Sequence, residues 1–126
     1  MNKIDAILII DDDPRNVFAL KTVLKSKKYQ CETANSFHEA LKILKNKRNI
    51  ALILIDMMMP DVDGYQAIKE LKASDIFNEI PVIAITAQAM SGDKEKCMDS
   101  GADGYVAKPV DMNQLMIYIN KYIKNV

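Results

Sequence analysis

The hydrophobic residues of this chain fall into two alternating spacings. Residues 4–10, Ile4-Asp5-Ala6-Ile7-Leu8-Ile9-Ile10, are almost continuously apolar and rich in β-branched side chains, as in a strand buried on both faces of a parallel sheet. Asp13-Pro14 follows. Asp suits the cap of a helix and Pro its first residue, so a helix is predicted there, with Val17, Leu20, Val23 and Leu24 at helical spacing as far as Lys27-Lys28. Tyr29 to Ala34 reads as a short, alternating strand. Ser36-Phe37-His38-Glu39 is a capping box, and Phe37, Leu41 and Leu44 mark the buried face of a second helix that Asn46-Lys47-Arg48-Asn49 breaks.

Ala51-Leu52-Ile53-Leu54-Ile55 is the most apolar segment and is predicted to be a central strand. A loop rich in Asp, Met, Pro and Gly runs from Asp56 to Gly64, and a third helix is expected from Tyr65 to Ala73. Pro81 to Ile85 reads as a fourth strand, with Pro tolerated at its first residue. Ser91 to Ser100 reads as a helix stopped by Gly101, and Tyr105-Val106-Ala107 as a short fifth strand. Asp111 opens a last helix with Leu115, Ile119, Tyr122 and Ile123 on one face. Five strands alternating with five helices predict an α/β fold: a doubly wound, five-stranded parallel sheet with helices on both faces and right-handed crossovers. Residues 1–126 are expected to form one domain.

Composition narrows the function. The hydrophobic share is 49%, too high for a disordered chain. Seventeen Lys+Arg balance seventeen Asp+Glu, which argues against a protein that coats a polyanion and so against direct nucleic-acid binding. The longest apolar run, Ile50 to Ile55, has six residues, whereas a membrane helix needs about 20. The N-terminus lacks the features of a signal peptide. Cys31 and Cys97 lie far apart with no cluster of His partners, which excludes a zinc site and suggests reduced thiols in a cytoplasmic protein.

In a sheet of this kind ligands bind beyond the carboxyl ends of the strands, where strand order reverses. The residues expected there are Asp11-Asp12-Asp13, Asp56, Thr86 and Lys108-Pro109. Singly, each has an ordinary explanation: Asp13 caps a helix, Thr86 finishes a strand, Lys108 is solvated. Ordinary explanations do not predict polar residues after four strands at one edge. Three mutually close carboxylates would repel by ~10 kcal/mol at an effective dielectric of 20, so one is protonated, they spread apart, or a hard cation lies between them. Oxygen ligands that leave room for water suit Mg²⁺. Acid, metal, ammonium and hydroxyl together can stabilise a transferring phosphoryl group, with a carboxylate as its acceptor.

Asp11-Asp12, Asp56-Met57-Met58-Met59-Pro60 with Gly64, Thr86-Ala87 and Lys108-Pro109 together resemble the receiver domain of two-component response regulators, over practically the whole chain. Residues 89–97 are similar to receivers attached to hybrid histidine kinases. The resemblance implies the flavodoxin-like (βα)5 fold and a phosphoacceptor that assists its own phosphorylation and dephosphorylation rather than an enzyme with a separate substrate. Asp56 would take the phosphoryl group from a phosphohistidine on a histidine kinase or histidine phosphotransfer protein. Asp12, Asp56 and the backbone carbonyl of Met58 would ligate Mg²⁺ directly, and Asp11 through water. Lys108 would pair with a phosphoryl oxygen, with a cis Lys108-Pro109 bond, and Thr86 would bind the phosphoryl group once formed. Tyr105 matches the family's aromatic switch position, moving inward as Thr86 is drawn to the phosphate. It also reads as a half-buried strand aromatic that does not switch.

Met58 and Gln88 stand two residues after Asp56 and Thr86, where the family flanks the path of the hydrolytic water. A thioether cannot orient water as a carboxamide does, so slow self-dephosphorylation is expected. Without metal the acid cluster should be strained, and Asp12→Ala or Asp56→Asn should stabilise the protein by about 1–3 kcal/mol. The lone His38 is expected to be a solvated helix residue. A phosphatase using Asp11-x-Asp13 would need a cap domain, and Pro14 already explains Asp13. A flavodoxin-like electron carrier would need a Ser/Thr/Gly-rich phosphate loop where this chain is acidic. A receiver-like module that binds partners without being phosphorylated stays open. No output domain follows the last predicted helix, so the chain is expected to be a free-standing receiver or one module of a longer protein.

Overall fold

A computed structural model describes residues 5–60, 62–87 and 92–123. The elements run β1 (Ala6–Ile10), α1 (Pro14–Ser26), β2 (Gln30–Ala34), α2 (Phe37–Asn46), β3 (Ile50–Asp56), α3 (Gly64–Ala73), β4 (Val82–Thr86), α4 (Asp93–Asp99), β5 (Gly104–Ala107) and α5 (Met112–Tyr122). The strands form one parallel sheet in the order β2-β1-β3-β4-β5.

Near-continuous apolar strands need cover on both sides, and alternate residues supply two cores. Leu8, Ile10, Ile53, Ile55 and Ala84 point to the side covered by α2, α3 and α4, with Phe37, Ile68 and Cys97. Ile7, Ile9, Leu52, Leu54 and Ile85 point to the other, with Leu24 of α1 and Leu115 and Ile119 of α5. Gly104 lets α5 come close to β5, because a Cβ there would lie 2.5 Å from the Tyr118 ring.

Element boundaries differ from the sequence pattern where local chemistry decides them. Tyr29 lies between α1 and β2, outside the strand, and is tied back to the end of α1. Lys28 turns with φ 72°, the Tyr29 N–H donates to the Leu24 carbonyl, and the phenol donates to Asn120 Oδ1 at 3.0 Å. β3 continues through Asp56, which pairs with Ile85. Pro81 precedes β4 and offers its carbonyl to the Ile53 N–H, while Thr86 closes the strand. α3 starts at Gly64, capped by the Asp63 carboxylate. α4 starts at Asp93 after Gly92 in the left-handed region, φ 92°. Ser91, predicted to begin that helix, lies outside the described residues, as do Ile4 and Gln88. No helix among the described residues is long and apolar enough to cross a membrane.

Candidate functional site

β1 and β3 are neighbours, yet the chain leaves them toward opposite edges of the sheet. Their carboxyl ends therefore frame the crevice at the switch point. Asp11 is the first residue past β1 and Asp56 the last of β3, so the reversal itself brings them together. Carboxylate oxygens of Asp11, Asp12 and Asp56 lie within 4.8 Å of one another; Asp11 and Asp56 are buried and Asp12 is exposed.

Each acid is held differently. The Asp11 N–H donates to the Ala34 carbonyl, and its Oδ1 accepts the Asp13 N–H at 2.9 Å. Burial pushes its carboxyl up to about 6; the Asp56 charge adds to this, while the Asp13 N–H and Lys108 oppose it. Asp13 is not one of the clustered acids; it caps α1, accepting the Arg15 N–H at 2.9 Å, and that hydrogen bond holds its carboxyl below the usual range. Asp56 Oδ1 accepts the Met58 N–H at 3.0 Å and the Lys108 ammonium at 3.2 Å. Lys108 follows β5, where its N–H donates to the Thr86 carbonyl and its bond to Pro109 is cis. Thr86 is buried at the end of β4.

The donor set suits a small hard cation. Around Mg²⁺, at about 2.1 Å per bond, neighbouring oxygens lie ~3 Å apart and opposite ones ~4.2 Å apart. A contraction of a fraction of an ångström from the 4.8 Å limit, or one intervening water, would bring all three acids into such a shell. A groove of about 610 Å³ adjoins the site, walled by Leu20, Val23 and Met112 and reaching Asp11 and Lys108.

Two residues that sequence reasoning passed over, Tyr65 and Asp93, join Tyr105 on the site's outer side. Tyr105 of β5 is half-buried, and its hydroxyl donates to Asp93 Oδ2 at 3.0 Å. Tyr65 of α3 donates to Asp93 Oδ1 at 2.5 Å. Burial first, then the Asp93 carboxylate, push the Tyr105 phenol up to about 12; the Tyr65 phenol is also raised, chiefly by its bond to Asp93. An acid opening a short helix and a tyrosine at the second residue of another carry no local signal of pairing across 28 residues. The other candidates stand apart. His38 is exposed on α2, Cys31 is half-buried, and Cys97 is a buried free thiol pushed up to about 11 by burial.

A parallel α/β sheet with acids, a lysine and a threonine gathered at its switch point is the architecture of a phosphoryl-accepting signalling module. Residues 7–120 match the response regulator receiver domain, and the chain belongs to that family. The chain is 36% identical over 120 residues to the sensor histidine kinase RcsC of Escherichia coli, covering 95% of this chain and 12% of that protein's length. It is 31% identical over 118 residues to the polar-differentiation response regulator DivK of Brucella anthropi, covering 94% and 95% of the two chains. Among solved structures, the receiver domain of a sensor histidine kinase from Pseudomonas aeruginosa, which has a magnesium ion coordinated in its active-site cleft, superposes with a TM-score of 0.84. It is 30% identical, with coverage of 98% of this chain and 100% of that one. The chain thus spans only about an eighth of RcsC but nearly all of DivK.

Proposed function

We propose that Asp56 accepts a phosphoryl group from a phosphohistidine on a histidine kinase or histidine phosphotransfer protein, in two-component signalling. The observation that carries this reading is the position of the Asp56 carboxylate, between the Asp11–Asp12 acids and the Lys108 ammonium. A free carboxylate oxygen of Asp56 attacks phosphorus as the P–N bond breaks; that electron pair stays on the donor imidazole, which is left to take up a proton. Lys108 pairs with a phosphoryl oxygen as charge moves onto the acceptor side. Asp11, Asp12, Asp56 and the Met58 carbonyl would hold Mg²⁺, which supplies neutralisation of phosphoryl charge when bound. The Thr86 hydroxyl then hydrogen-bonds the phosphoryl group, and Tyr105 moves toward the space Thr86 leaves. The two arrangements differ in population by as much as the phosphoryl contacts differ.

Incubation with acetyl phosphate and Mg²⁺, followed by intact mass measurement, tests this. The wild type should gain one phosphate mass and Asp56→Ala none. Equal labelling of both, or labelling of neither, would overturn the reading, and labelling of neither would favour a module that acts by binding alone.

A further inference from the structure

We propose that Asp93 and Tyr65 form a latch on Tyr105, holding its side chain in the unphosphorylated position, so that loading of Asp56 must break the Tyr105–Asp93 hydrogen bond. The inference rests on the phosphoacceptor reading above and adds two positioning residues to it.

Asp93 is the first residue of α4 and its side chain is buried, with 6% of its surface exposed. Both of its oxygens are taken by phenols: Oδ1 by Tyr65 of α3 at 2.5 Å and Oδ2 by Tyr105 of β5 at 3.0 Å. Hydrogen bonds to a carboxylate are among the strong ones, and a buried carboxylate without partners is costly. The Tyr65 side is fixed further. Lys96 Nζ lies 4.2 Å from the centre of its ring, and the Tyr65 N–H is bound by Asp63, which caps α3. Tyr105 is half-buried on the short strand β5, with Ala84 of β4 opposite it in register. When Tyr105 leaves, Tyr65 still satisfies Asp93, so release of the Tyr105–Asp93 bond does not strand a buried charge. A carboxylate shared by two phenols, one anchored and one movable, therefore acts as a reversible catch.

The arrangement makes removals of different members act in opposite directions. Without Asp93, or without the Tyr105 hydroxyl, the Tyr105–Asp93 bond no longer opposes movement. Without the Tyr65 hydroxyl, Asp93 depends on Tyr105 alone and holds it harder. A merely structural role would weaken the switched state in every variant.

The test uses the full chain in saturating Mg²⁺, titrated with beryllium fluoride as a phosphoryl stand-in and followed by amide NMR of Thr86 and Lys108. Asp93→Ala and Tyr105→Phe should each tighten binding by about 5- to 20-fold, as expected for loss of one hydrogen bond to a charged group. The double variant should gain no further, and Tyr65→Phe should weaken binding. Tyr105→Phe and Tyr65→Phe keep the test decisive if Asp93→Ala fails to fold. No change in Tyr105→Phe, or a shift of the same sign in Tyr65→Phe, overturns the latch while the phosphoacceptor reading stands. A wild type that binds no beryllium fluoride removes both.

Discussion

Asp11→Asn in the metal-free protein isolates the cost of the acid cluster. The substitution keeps the shape and the oxygen that accepts the Asp13 N–H, and removes the charge by turning the other oxygen into a neutral amide nitrogen. In the wild type Asp11 is raised from 3.8 to about 6, first by burial and then by the Asp56 charge. That interval corresponds to about 3 kcal/mol in favour of the protonated form. Water entering past exposed Asp12 screens part of it, leaving about 1–2 kcal/mol. Because the folded-state value lies above the unfolded one, wild-type stability is highest while Asp11 is protonated. It falls as pH rises from about 4 to about 6, and is level above that. Asn does not titrate, so the variant's advantage should be absent at pH 4, open across that window and hold at pH 7.5. Thermal melts in chelator should show it as a Tm higher by ~4–8 °C for a domain of this size. Saturating Mg²⁺ should shrink the difference, since the ion stabilises the wild type by binding its folded state. A variant no more stable at pH 7.5, or equally favoured at pH 4 and 7.5, would refute the argument. The structure also redirects the earlier expectation for Asp56→Asn. Asp56 is the partner of Lys108, which is largely buried, so losing that ion pair offsets the relieved repulsion and little net stabilisation is expected.

Lys108→Gln should slow labelling by acetyl phosphate by about 10- to 100-fold, because it removes a charge-assisted contact to the transferring group; mass spectrometry over time reads it. Met58 is exposed beside Asp56 and offers no hydrogen bond to water from its side chain, so Met58→Asn should shorten the phosphoryl lifetime by about 10-fold, measured as loss of the added mass after donor removal. A lifetime of seconds in the wild type, little changed by altering Met58, would count against this account. Ser36→Ala removes the oxygen that accepts the Glu39 N–H at the start of α2 and should cost about 1 kcal/mol in urea unfolding while leaving phosphate labelling unchanged.

Period and punctuation carry most of this fold. Each buried strand announces itself as a run without polar residues, and Asp13-Pro14, Ser36 and Asp111 mark helix starts whose side chains do accept the expected backbone N–H groups. Because ligands gather at strand ends, the grouping of Asp11, Asp12, Asp56 and Lys108 follows from strand order alone. What escapes is what depends on distance or on a single backbone angle. Tyr29 has the β propensity of a strand residue, but the turn at Lys28 ties it back onto α1. Asp93 reads as an acid favoured by a helix N-terminus, a role that hides its two phenol partners from α3 and β5. The carbonyl and N–H groups that orient Asp56 and Lys108 are backbone atoms, to which side-chain identity gives no clue.

The three acids carry the same group, and their surroundings separate them. Asp11 is buried, and burial raises its carboxyl even though one of its oxygens accepts the Asp13 N–H. Asp12 is exposed and free to follow a cation that is itself partly hydrated. Asp56 alone has one oxygen fixed from two directions, by the Met58 N–H and by Lys108, so its carboxylate plane is set before any donor arrives. A fixed plane restricts the remaining oxygen as well and avoids the entropy of finding a reactive geometry later. Exchanging the acid between positions should therefore fail. Asp56→Asn with an intact Asp11 and Asp12 keeps two carboxylates within reach of metal, yet neither has the pair of donors that would present it. Labelling by acetyl phosphate in that variant at the wild-type rate, on Asp11 or Asp12, would show that proximity to the cation suffices and that the paired hold on Asp56 does not matter.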